Sequence, residues 1–103
     1  MADYYPFSTQ PSFDHGSNLD IDTVAEQMTA TSVTCKIGVN VIADAANDGI
    51  IYVGNSDVTA GTVATTDGYP LSAGDAVFMP VSNPNKIYCI GSAVNQKIYW
   101  LAM

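Results

Sequence analysis

The chain has 103 residues, room for one domain and one hydrophobic core. Hydrophobic residues make up 48% of it and charged residues only 13%, so apolar side chains must reach the surface. Ten acidic residues outweigh the scattered Lys36, Lys86 and Lys97 for a net charge of −7, which argues against nucleic acid and anionic membranes as partners, since both need clustered cations.

No stretch approaches the ~20 apolar residues of a spanning helix, and the opening MADYYPFSTQ has neither a basic start nor an apolar core of the signal-peptide kind. The expectation is synthesis and retention in a cytoplasm, or in whatever assembles there. Residues 1–18 carry Pro6 and Pro11, the aromatics Tyr4, Tyr5, Phe7 and Phe13, and the pair His15-Gly16, with no period of 2 or 3.6. They read as an extended N-terminal arm, preceding a single β domain over 19–103.

Strand signals then recur with turns between them. Leu19, Ile21 and Thr23 alternate with Asp20 and Asp22, a half-exposed strand. Residues 23–30, TVAEQMTA, hold the one helical competitor. In 33–41, Val33, Cys35, Ile37, Val39 and Val41 point one way and Thr34, Lys36, Gly38 and Asn40 the other, a strict strand period. Asn47-Asp48-Gly49 is a turn signature that suggests a hairpin from a strand ending near Ile42 to one starting near Ile50. Residues 55–68 are almost all small and polar, a loop with room for one short edge strand. Strands follow over 75–81, 87–90 and 97–103, set off by turns at Gly74 and at Asn83-Pro84-Asn85. Six to seven short strands at ten-residue spacing give an all-β reading, a β-sandwich or jelly-roll-like barrel. Cys35 and Cys89 each lie in an apolar run and are expected as buried free thiols rather than a disulfide.

Residues that could carry catalysis are sparse. The only histidine, His15, lies in the arm, and neither cysteine has a close-spaced partner for a metal. Asp44, Asp48, Asp57 and Asp67 fall in loops where oxygen ligands could hold calcium, yet no calcium-loop pattern appears and turn formation explains them. No enzymatic activity and no cofactor are expected. A glycan-binding module using Tyr52, Tyr69 and Trp100 is the fairer alternative, although Trp100 sits in the apolar run IYWLAM.

Three strands are apolar on both faces: 50–53, 87–90 and 98–103. A contiguous second face holding Tyr52, Tyr88, Tyr99, Leu101 and Met103 would exceed what a soluble monomer usually exposes, so a partner subunit is the expected cover. The alternative is a central strand covered by a loop or by the arm. Consecutive strand residues point to opposite faces, which puts Trp100 in the core and Tyr99 in an interface.

The runs GIIYVGNSDVT (49–59), GYPLSAGDAVFMPV (68–81) and KIYCIGSAVNQKIYW (86–100) resemble small domains of tailed-bacteriophage structural proteins, the capsid decoration or cement family. The first 30 residues and the AGTVATT stretch (60–66) fall outside that pattern. The resemblance implies a non-enzymatic virion protein on the capsid exterior, binding the major capsid protein and itself as a symmetric oligomer, a trimer by preference. Its interface residues would be Tyr4, Tyr5, Phe7 and Phe13 of the arm with Tyr52, Tyr88, Tyr99, Leu101 and Met103. A receptor- or glycan-binding module on a tail or fibre is the alternative.

Overall fold

Alternation is cleanest along the last strand, where Gln96, Ile98, Trp100 and Ala102 are buried while Lys97 and Tyr99 are exposed and Leu101 is half-buried. The computed structural model describes residues 13–103 and makes this strand the centre of a sheet. Eight strands occur among these residues: β1 (Asp14–Ile21), β2 (Glu26–Gln27), β3 (Val39–Ala43), β4 (Ile51–Gly54), β5 (Tyr69–Leu71), β6 (Ala76–Met79), β7 (Tyr88–Gly91) and β8 (Gln96–Ala102). They form two four-stranded antiparallel sheets, ordered β1-β8-β3-β6 and β2-β7-β4-β5. Val39, Val41, Ile98 and Trp100 of the first sheet meet Ile51, Val53, Leu71 and Cys89 of the second in one core, so the fold is an all-β sandwich.

The chain changes sheet at almost every connection, and only β4 and β5 form a hairpin of sequential neighbours. The hairpin expected across Asn47-Asp48-Gly49 is therefore corrected: that turn carries the chain from β3 in one sheet to β4 in the other. Contacts to β8 fix it there. Asn47 Nδ2 donates to the Lys97 carbonyl (2.9 Å) and its Oδ1 accepts from the Lys97 amide (2.8 Å). Gln96, buried, accepts from the Gly49 amide (2.8 Å) and donates to Asp48 Oδ1 (2.7 Å) and the Val94 carbonyl (2.8 Å). Such a polar group is tolerated in the interior because its amide is satisfied on both sides.

Two further expectations change. The strand read over 33–41 begins only at Val39, because Gly38 has φ +151° and turns the chain. A side chain there would also stand 2.5 Å from the Met79 carbonyl oxygen. Cys35 and Val39 point inward on either side of it, and Ile37 is left exposed. Residues 14–18, assigned to the arm, instead begin β1, paired with β8 from Asp14↔Ala102 to Asn18↔Ile98. The first twelve residues of the expected arm, with Tyr4, Tyr5 and Phe7, lie outside the described residues. No helix forms over 23–30, where Glu26–Gln27 pair with β7. Cys35 and Cys89 are both free and buried, and desolvation pushes the Cys89 thiol up to about 12.

Candidate interaction surface

The register of the first sheet decides what its outer face shows. Ser17, Tyr99, Ile42 and Ala76 form one row across the four strands, and His15, Leu101, Asn40 and Phe78 form the next. Within these rows Ile42 (40%), Phe78 (45%) and Tyr99 (38%) are exposed and Leu101 is half-buried, an apolar patch across β8, β3 and β6. Nothing in the described residues covers it. Tyr99 is held at its lower corner, its hydroxyl donating to Asp44 Oδ2 at 2.9 Å. The Asp44 carboxyl lies below its ordinary range because the Ala46 amide and then this phenol donate to it, and the same bond raises Tyr99.

The single second face expected from the sequence does not exist, because its members belong to different sheets. Tyr99 and Leu101 lie on the outer face of the first sheet, whereas Tyr52 and Tyr88 belong to β4 and β7 of the second. Tyr52 is only 7% exposed and is not available at the surface. Loop 55–68 folds back over it: Gly68 lies so close that a methyl group would stand 3.1 Å from Tyr52 Cβ, and Val58 is buried beneath the loop. The cover was one of the two readings open in the sequence, and here it is the loop that supplies it. Tyr88 is half-buried opposite Gln27 and Gly54. Met103 is half-buried, its backbone bonded to Gly38 in both directions (2.9 and 3.1 Å). Phe13 is exposed just ahead of β1.

One carboxylate holds the covering loop. Asp67 accepts from Thr59 Oγ1 (2.6 Å) and from the amides of Val63 and Ala64 (2.8 Å each), and these bonds, the threonine's first, hold it below the usual carboxylate range. Beside the loop, a recess of about 280 Å³ is lined by Asn55, Asp57, Thr66 and the exposed Tyr69. Trp100, the other aromatic considered for glycans, is buried against β1. A methyl group on Gly16 would overlap its Cζ2 and stand 2.6 Å from Cε2. Its indole Nε1 has no hydrogen-bond partner among the described residues.

Sequence reasoning missed Ile42 and Phe78. The signal was present, since VNVIA (39–43) and AVFM (76–79) also place apolar groups on both faces, as the three strands singled out do. Comparisons of the chain with protein-family models, with curated proteins and with solved structures give no match.

Proposed function

We propose that the protein is a bacteriophage capsid decoration protein that binds the major capsid protein on the outside of the head and associates with itself as a symmetric oligomer, three-fold by the family resemblance. The observation that carries this reading is the apolar face of Ile42, Phe78, Tyr99 and Leu101, which no described residue covers, on an otherwise acidic sandwich. Such a face suits adhesion to a protein surface, because apolar area and a tyrosine desolvate at little cost. The resemblance over about 33–103 supports a virion setting. The role would be mechanical, with many weak contacts on a lattice adding up through high effective concentration.

Binding to heads that lack the protein tests it. Purified protein should cosediment with such heads and appear at regular outer positions by electron microscopy, while Tyr99→Lys, which places an ammonium in the contact, should bind far more weakly yet stay folded. Absence of binding by the wild-type chain overturns the reading. A receptor- or glycan-binding module on a tail or fibre is favoured by one observation, the exposed Tyr69 at the rim of a polar recess. Its test is glycan binding that Tyr69→Ala abolishes and Tyr99→Lys leaves intact.

A further inference from the structure

The outer face of the first sheet is small for what it would have to do. Its apolar patch spans three strands about 4.8 Å apart and two rows about 6.8 Å apart, roughly 200 Å². A stable protein interface takes about 800 Å² from each partner. Two copies meeting patch to patch would fall well short of that, whereas an extended segment of a few residues with aromatic anchors fits the patch.

The sequence supplies such a segment. Residues 1–12 precede Phe13 and contain Asp3, Tyr5 and Phe7 at a spacing of two. In an extended chain these three side chains share one side about 6.8 Å apart, the period at which Lys97, Tyr99 and Leu101 follow one another on the outer face of β8. Asp3 is the only charged side chain of the twelve, and Lys97 is the cation at the matching end of that face. Laid parallel to β8, the segment sets Asp3 beside Lys97, which Asp44 also faces, with Tyr5 over Tyr99 and Ile42 and Phe7 over Leu101 and Phe78. Pro6 has no amide hydrogen, which disfavours adding the segment as a further hydrogen-bonded strand and leaves face packing as its mode.

We infer that residues 3–7 of one copy lie across the outer face of the first sheet of a second copy. This rests on the reading of the protein as self-associating and names the contact. To reach its own sheet the chain would have to reverse within residues 8–12, in the middle of which the Gln10-Pro11 bond favours extended backbone. Reaching a neighbour needs no reversal, and twelve extended residues span roughly 40 Å. Exchange of an identical segment is a low-cost route to symmetric assembly.

The experiment is sedimentation of the full chain over a concentration series, with an arm variant (Tyr5→Ser with Phe7→Ser), a face variant (Ile42→Lys) and their equimolar mixture. The wild-type chain should self-associate, and each variant alone should do so at least about thirtyfold more weakly, the scale of one aromatic hot spot. The mixture should regain a heterodimer, because one partner keeps an intact arm and the other an intact face. If Ile42→Lys loses cooperative unfolding, Phe78→Lys on the exposed edge strand β6 replaces it. An arm variant that associates like the wild type overturns this inference alone. A wild-type chain that is monomeric at every concentration overturns it together with the self-association reading.

Discussion

Gly16 and Trp100 offer the sharpest test of how β1 belongs to the fold. Gly16 stands directly across from Trp100 and does not have a positive φ, so its backbone accepts alanine without strain. Alanine for glycine at such a position ordinarily stabilises by roughly 0.4–1 kcal/mol through the unfolded chain. Here the new methyl would overlap the indole, with Cε2 at 2.6 Å and Nε1 at 2.9 Å, in a buried contact between two paired strands. Overpacking of this kind costs roughly 1–3 kcal/mol. The net expectation for Gly16→Ala is a loss of about 1–2 kcal/mol, a sizeable part of the 5–15 kcal/mol of a small domain. Trp100→Phe removes the clashing ring edge and also the unpaired buried N–H, whose desolvation costs about 1–3 kcal/mol, and so offsets part of the lost packing. In that background Gly16→Ala should cost at least about 1 kcal/mol less than in the wild type. Urea unfolding of the four proteins, read as a double-mutant cycle, measures the coupling. Additive effects, or a stabilising Gly16→Ala in the wild type, would refute the packing argument.

At concentrations too low for self-association, deleting residues 1–12 should leave the thermal midpoint nearly unchanged, whereas deleting 1–18 strips most of β1 from β8 and should lower it by more than about 10 °C, measured by circular dichroism. Asp67 has a depressed folded pKa, so its stabilisation of the covering loop is fully present above the ordinary value of 3.8 and is lost as pH falls below that through the folded value. The protection factors of the Val63 and Ala64 amides, measured against the intrinsic exchange rate at each pH, should fall over that window, and Asp67→Asn should show low protection already at neutral pH. Both thiols are buried and raised by desolvation, so a maleimide at pH 8 should label Cys35 and Cys89 only in denaturant; rapid native labelling would contradict their place in the core.

Much of the architecture was legible because the strands that build the core alternate strictly. Val39, Val41 and Ala43 in β3 and Ile98, Trp100 and Ala102 in β8 can be read inward from the sequence alone. Which sheet each strand joins was not legible, since Asn47-Asp48-Gly49 has the chemistry of a hairpin turn and only its bonds to Lys97 make it a crossing between sheets. Residues 14–18 gave no apolar period because an indole from β8 fills the inner surface at Gly16, and Asn18 turns inward to bond the Met28 carbonyl at 3.1 Å. At Tyr52 the two-sided apolar pattern was real but was met from within, by a loop whose composition is too polar to advertise a covering role. The same pattern in β3 and β6 marks the face that no described residue covers.

The place of β8 in the first sheet has a consequence for biogenesis. Its neighbours on either side are β1 and β3, and among the described residues the sheet has no other strand through which β1 can join. Until residues 96–102 leave the ribosome, β1 therefore has no hydrogen-bonding partner in that sheet, and β3 and β6 form at most an isolated pair. Such a pair is barely stable in water, so the sandwich closes late and over long sequence separations. A nascent chain arrested before residue 96 should remain sensitive to protease, and one extended past 102 by enough linker to clear the exit tunnel should become resistant in a single step.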